Sequence, residues 1–527
     1  MRARTCRPLG LLLPLLVGLA LRLMMASSIH APWGDNGATV LELARNLVEG
    51  RGFTTLRVWT FYGPVKQFGQ PEGNRQPLLP VLEASARKLG GASFQVAQAV
   101  PVIAGLSVIA LSYRIGMAIG GATAGSLAAW FSALDPPQIY FSAQVEDQIL
   151  FTALFLGLVL WSLRDDRESR LRPWVPGLLL GALYLTRANG LLVGAAYAAV
   201  GLFRRQFRHV IVVGLVAIAV ATPWFIRNAQ AFGNPLHTDN AYFLWSDDFW
   251  SVFSVRDTPP SMVGYFASHS PAEIAFRWLK GAYLIVEGFL VGNIFRNEPF
   301  ARDSLIVPVM VALFGLRRHH RPLSFVAVAF VLHFVTVAWH AHGTYRYFLP
   351  FYAVVFAGAG AGVAGGWRRW VTPLAARLKL WAGVAAVFVF VLPLVRPMVH
   401  TLGPDDRAIH QEALEVVEWI ERSTDDDAVI MAFPTVEKYL CRYARPTIMT
   451  PYGSLEDVWR VVCDYGVDYL VVSAEQLRRL PALKEYWIVD GAAVIERELP
   501  TFLHREVATA EGMFRVYRLD RGALCSR

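Results

Sequence analysis

The chain has 527 residues, enough for more than one domain, and is 54% hydrophobic, 13% aromatic and only 17% charged. That balance excludes an ordinary soluble globular protein. A formal charge of +9 does not indicate a nucleic-acid binder, because the basic residues sit in short clusters between apolar runs, as in the cytoplasmic loops of membrane proteins.

In chain order, apolar runs of the length a helical span needs, about 20 residues, occur at 9–27, 94–113, 121–140, 144–163, 209–226, 323–340, 347–366 and 380–398. Three shorter runs, 174–186, 189–203 and 302–316, also read as spans because of the charges beside them. Arg2, Arg4 and Arg7 precede the first span. Arg164, Arg167, Arg170 and Arg172 follow the fourth, and Arg204, Arg205 and Arg208 the sixth. Arg317, Arg318 and Arg321 follow the eighth, and Arg368, Arg369, Arg377 and Lys379 the tenth. With about eleven spans all of these clusters fall on the cytoplasmic side, and the tail falls outside. The run 279–295 would upset this count if it spanned. It is read as interfacial or re-entrant, with Glu287 in its middle as an ionisable group too costly for lipid. The first segment also has the marks of a signal peptide, but Arg22 and the loop after it fit a bundle better.

The long outer loop 28–93 ends in a stretch, Pro77–Leu89, that suits a helix at the membrane surface. A second long outer loop, 227–278, is rich in Trp, Phe and Asp. The tail 400–527 reads as a compact α/β domain: a helix over 408–422, a buried strand at Ala428–Ala432, a helix at Leu455–Tyr465 stopped by Gly466, a strand at Tyr469–Ser473 and an edge strand at Phe514–Leu519. The domains are therefore 1–399 in the membrane and 400–527 outside it. Cys6, Cys441, Cys463 and Cys525 show no CxxC or metal-ligand spacing. Cys441 and Cys463 could pair in an exported tail.

Candidate chemistry gathers at the outer ends of spans. Asp35, in Trp33-Gly34-Asp35-Asn36-Gly37, could deprotonate a hydroxyl or amine, or simply serve a turn or cap a helix over 38–49. Glu146 and Asp147 are adjacent carboxylates beside lipid, which need a cavity, a partner or the solvated N-terminus of a helix. Arg75, Arg187, Arg227 and Arg346 are isolated arginines at outer boundaries. A guanidinium fork suits a phosphate at headgroup level, although each alone could snorkel to lipid. His340 and His342 flank Ala341 near Tyr345 and Arg346, too few ligands for a metal. Polar contacts with a substrate are the expectation for this group, if it has a role. No cofactor is expected, and a divalent metal stays open.

In order, Gly34-Asp35, Ala44-Arg45-Asn46, Gly50-Arg51-Gly52-Phe53, Arg75-Gln76-Pro77-Leu78-Leu79-Pro80, Gly181–Arg187, Pro223–Asn228 and Arg346-Tyr347-Phe348-Leu349-Pro350 resemble the GT-C superfamily of polyprenyl-phosphate-sugar glycosyltransferases. The segments are similar to those of the bacterial relatives of protein O-mannosyltransferases and of the lipid A aminoarabinose transferases. The resemblance covers roughly 9–366. It implies an α-helical polytopic membrane bundle, GT-C-like, carrying a C-terminal extracytoplasmic α/β domain. It implies an inverting hexosyl or pentosyl transfer from a polyprenyl-phosphate donor, drawn from membrane lipid, to a glycan, lipid or protein acceptor at the outer face of the inner membrane. Asp35 is then the catalytic base, Glu146 or Asp147 a second acid, and Arg346 a donor-phosphate ligand helped by Arg75, Arg187 or Arg227. Many relatives have Asp-Glu where Asp35-Asn36 stands. The rival readings are a transporter or flippase of a lipid-linked or anionic substrate, and a membrane-anchored binding protein.

Overall fold

The computed structural model describes residues 9–29, 31–32, 34–164, 172–291, 306–317, 319–340, 345–372, 405–433, 436, 440 and 445–526. The expected span 380–398 lies outside them. The chain forms two compact units. One comprises Met1–His30, Gln76–His237 and Pro271–Leu402; the other comprises Ala31–Arg75, Thr238–Ser270 and Gly403–Arg527. The second unit thus draws on the two long loops between helices as well as the tail.

The first unit is helical. Five of its described helices are long and apolar enough to cross a membrane: Gly10–Ser28, Phe94–Gly120, Phe207–Phe232, Pro322–Trp339 and Arg346–Val371. The protein is therefore a multi-pass membrane protein. Shorter apolar helices stand at Ala122–Leu134, Trp174–Thr186, Gly190–Phe203 and Val307–Leu316. In chain order the unit begins with α1 (Leu9–Ser28); α2 (Gly34–Val48) belongs to the other unit. Then come α3 (Leu78–Gly90), α4 (Phe94–Gly120), α5 (Ala122–Leu134), α6 (Pro136–Ala143) and α7 (Gln148–Ser162). The helix Leu349–Gly366 is buried along most of its length and packs against α4, α5 and α7. Small residues bring its backbone close to its neighbours: a Cβ on Gly315 would lie 2.1 Å from the Gly358 carbonyl oxygen. Without a hydrophobic drive between helices in lipid, such close approach supplies the van der Waals contact.

One expectation needs correction, and one element is longer than expected. The runs 121–140 and 144–163 are not two straight spans. The chain breaks at Asp135-Pro136-Pro137, and α6 and α7 meet at 118°. The prolines lack the N–H groups that would continue α5, and the residue before a proline is driven to extended backbone, as Asp135 is at ψ 113°. The described part of the run 279–295, up to residue 291, belongs to one longer helix, Pro271–Val291. It is not among the five apolar spans, for Glu273, Arg277, Lys280 and Glu287 interrupt it.

The second unit is built on a six-stranded sheet of order β11-β12-β8-β6-β7-β2. The strands are β2 (Arg57–Val58), β6 (Ile430–Ala432), β7 (Thr447–Met449), β8 (Tyr469–Ser473), β11 (Leu503–Ala508) and β12 (Phe514–Leu519). β2, β7, β6 and β8 run parallel, β12 pairs antiparallel with β8, and β11 pairs antiparallel with β12. Successive residues of β6 and β8 face opposite cores. Met431, Leu470 and Val472 pack with Val458, Val461 and Val462 of the helix Leu455–Tyr465, whereas Ile430, Ala432 and Val471 pack with Val416, Val417 and Ile420 of the helix Asp405–Ser423. Burial on both faces is why these strands read as unbroken apolar runs. β12, expected at an edge, lies inside the sheet, because β11 pairs its outer side. Cys463 bonds Cys525, so the partner of Cys463 is not Cys441; Cys441 lies outside the described residues.

Candidate functional site

The break after α5 shapes the strongest candidate. α6 ends at Ala143 and α7 starts at Gln148, which leaves Gln144–Asp147 as a turn, closed by the Glu146 amide donating to the Gln144 carbonyl at 2.8 Å. Asp147 stands ahead of α7, yet its carboxylate caps no backbone N–H. It accepts instead from Arg187 Nη1 at 2.7 Å. Arg187 terminates the helix Trp174–Thr186 with extended backbone, which swings its side chain off the helix surface. Glu146 is 2% exposed, and its Oε2 lies 3.8 Å from Arg346 Nη1, a charge contact beyond hydrogen-bond distance. Arg346 comes from a single 3-10 turn, Tyr345–Phe348, leading into the buried helix Leu349–Gly366.

The Tyr347 ring joins the two pairs, with Arg187 Cζ 4.8 Å and Arg346 Cζ 5.7 Å from its centroid. The His340 ring centroid is 6.4 Å from that of Tyr347. Two acids and two arginines that the sequence suggested separately are thus brought together in one cluster with no formal net charge. Balanced charge is what a poorly solvated site tolerates, and arginine stacked on an aromatic face keeps N–H groups in its plane for a further acceptor. Tyr347 was overlooked as a site residue. Its signal was its place inside the Arg346–Pro350 segment.

The other two arginines have these contacts. Arg227, near the end of the helix Phe207–Phe232, stacks on Trp224 and Phe232 of that helix and donates to Asn228 Oδ1 at 2.9 Å. Arg75 belongs to the second unit, where its Nη2 donates to Asn36 Oδ1. Asn36 is thereby a neutral acceptor for a guanidinium. The side chains of His342 and Tyr345 lie outside the described residues.

Asp35 is the second residue of α2, which begins at Gly34 rather than at 38; its side chain lies outside the described residues. Asp35 is therefore in the first turn and not ahead of the helix. α2 is held by buried polar contacts. Glu42 accepts from the Leu56 amide at 2.6 Å and from Thr55 Oγ1 at 3.0 Å, Arg57 Nη1 donates to Thr39 Oγ1 at 2.6 Å, and Asn46 Nδ2 donates to the Thr54 carbonyl at 2.7 Å. Arg57 is in β2, paired in parallel with β7 of the tail. The tail sheet therefore fixes the strand that fixes α2. Burial pushes the Glu42 carboxyl up to about 7, against the lowering effect of its two donors. Among the described residues no group of three His, Cys, Asp or Glu could hold a metal ion.

No known protein family matches the chain by sequence, and no curated relative is similar to it. Solved structures are similar. The apo oligosaccharyltransferase of Archaeoglobus fulgidus matches with TM-score 0.60 at 14% identity, over 91% of this chain and 72% of that one. ArnT from Cupriavidus metallidurans bound to undecaprenyl phosphate matches with TM-score 0.59 at 14% identity, over 96% and 97%. The A. fulgidus oligosaccharyltransferase AglB, in complex with an inhibitory peptide and a dolichol-phosphate, matches with TM-score 0.55 at 14% identity, over 93% and 74%. These likenesses show that the chain has the fold of the oligosaccharyltransferase and ArnT structures.

Proposed function

We propose that this protein is a membrane glycosyltransferase that moves a hexose or pentose from a polyprenyl-phosphate donor to an extracytoplasmic glycan, lipid or protein acceptor. The observation that carries the reading is the Glu146–Arg346 and Asp147–Arg187 cluster about Tyr347, in a chain whose fold is that of enzymes solved with lipid phosphates bound. Arg187 and Arg346 would share their donors with the phosphate, while Glu146 and Asp147 hold the guanidinium groups in place when no anion is present. The acceptor oxygen attacks the anomeric carbon, the carbon–oxygen bond to phosphate breaks, and the configuration inverts. The lipid phosphate leaves with both bonding electrons, and its charge is offset by the arginines. The resemblance assigns the acceptor proton to Asp35, as general base.

The finer topology belongs to the same proposal. About eleven spans place the tail outside the cytoplasm, and the Cys463–Cys525 disulfide supports an oxidising compartment for it. On this reading residues 1–399 form the membrane enzyme and 400–527 the outer domain. The test is release of undecaprenyl phosphate from an undecaprenyl-phosphate sugar by the purified protein, with membrane lipid and glycan extract as acceptor. Activity should require the lipid-linked donor and be absent with a nucleotide sugar alone. Arg346→Ala should weaken donor use far more than Arg346→Lys, which keeps the charge. Unchanged turnover in both variants would remove Arg346 from the site, and lipid movement without sugar transfer would favour a flippase.

A further inference from the structure

Arg22 lies within an apolar span and is completely buried, a costly place for a charge unless its donors are satisfied. Its partners have a common cause. In a continuous helix the carbonyls of Ser132 and Ala133 would accept from the amides of residues 136 and 137. Those residues are Pro136 and Pro137, which have no N–H. Arg22 Nη2 donates to the Ser132 carbonyl at 3.2 Å and Nη1 to the Ala133 carbonyl at 3.4 Å. The guanidinium therefore supplies, from α1, the two donors that the prolines remove from α5.

The remaining contacts fix the chain beyond the break. Arg22 Nε donates to Ser142 Oγ, in the last turn of α6, at 3.0 Å, and Nη1 also reaches the Gly18 carbonyl at 3.1 Å. A Cβ on Gly105 of α4 would stand 2.1 Å from Ser142 Oγ and 2.7 Å from Arg22 Nε, so only glycine leaves room for the contact. One residue on, Gln98 Nε2 of α4 holds the Ala143 carbonyl at 2.8 Å and the Ala26 carbonyl of α1 at 3.2 Å. Asp135, also buried, supplies the neighbouring negative charge. The next residues are the turn Gln144–Asp147.

We propose that Arg22 is a positioning residue: it bridges the proline break and aims α6, so that the turn presents Glu146 to Arg346 and Asp147 to Arg187. Its effect on turnover rests on the glycosyltransferase reading; its hold on α6 does not. The test compares full-length wild type, Arg22→Gln, Arg22→Lys and Asp147→Asn in lipid nanodiscs, by hydrogen exchange and by release of undecaprenyl phosphate from an undecaprenyl-phosphate sugar. In Arg22→Gln the amides of 138–149 should exchange at least about tenfold faster, with those of 455–473 unchanged. Its kcat should fall about 10- to 100-fold, the scale of a displacement near 1 Å, with a smaller change in KM. Arg22→Lys should lie between, since an ammonium keeps the charge but cannot serve three directions in one plane. Unchanged exchange at 138–149, or faster exchange throughout the chain, overturns the proposal. Local acceleration with wild-type kcat overturns the positioning role. If Asp147→Asn also turns over normally, or wild type releases no lipid phosphate, the site reading fails, and the exchange alone still decides whether Arg22 holds α6.

Discussion

Asp35 and Glu42 share one short helix and call for opposite experiments. Asp35→Asn keeps size and hydrogen-bonding capacity but removes basicity. A turn or capping role predicts little change, whereas a general base predicts a folded protein that has lost roughly two to four powers of ten in turnover. Turnover measured beside the thermal midpoint separates the two, and near-normal turnover would move the base to Glu146 or Asp147. Glu42 concerns stability. Its folded value, about 7, is raised above the ordinary 4.5, so the native state binds the proton more tightly than the unfolded chain does. The stability it contributes is complete below the unfolded value and is lost as pH rises through about 7. The thermal midpoint should fall over that window, and Glu42→Gln, neutral throughout, should flatten this part of the profile. A slope identical in both proteins would mean that Glu42 is ionised in the fold.

At the scale of elements, the covalent tie between the helix Leu455–Tyr465 and the terminal helix Arg521–Cys525 spans a sequence separation of 62 residues. Closing a loop of that length restricts the unfolded chain, and its loss costs about 2–4 kcal/mol in typical cases. Cys525→Ser should therefore lower the denaturation midpoint of the second unit under oxidising conditions and abolish the difference that a reducing agent makes in wild type. A reductant effect that survives the substitution would assign it to other cysteines. The element β2 shows how two residues can matter out of proportion to their number. Val58 is completely buried and packs in the same core as Ile448 and Leu470, while Arg57 reaches back to α2. This loop is thus held from both sides of one strand.

For the whole molecule the decisive matter is which side of the membrane each end occupies. On the proposed topology, the arginine clusters and an odd span count would put the N-terminus inside and the tail outside. A periplasmic-type reporter such as alkaline phosphatase, fused after Arg527, should be active, and a reporter that works only in the cytoplasm should be silent. The reverse result would mean that 279–295 crosses the membrane or that one short run does not. The helix Pro271–Val291 gives that alternative its physical form, since it is long enough to span at about 1.5 Å per residue but carries charge along its length.

The sequence by itself determined what depends on local composition and period. Apolar length marked the membrane helices, arginine clusters marked an orientation, and the run Tyr469–Ser473 and the stop at Gly466 appear in the fold with those bounds. Glu146, Asp147, Arg187 and Arg346 stood out in the sequence as candidates because charges at the ends of apolar runs are costly and therefore conspicuous. What only the tertiary structure decided is partnership. That Asp147 meets Arg187 across 40 residues, that Glu146 meets Arg346, and that Cys463 chooses Cys525 all depend on how distant segments pack. Pairing across a fold has no period. A cluster of charges is specified by the backbone turns that aim it, here a proline break in one helix whose missing donors are supplied by an arginine from another.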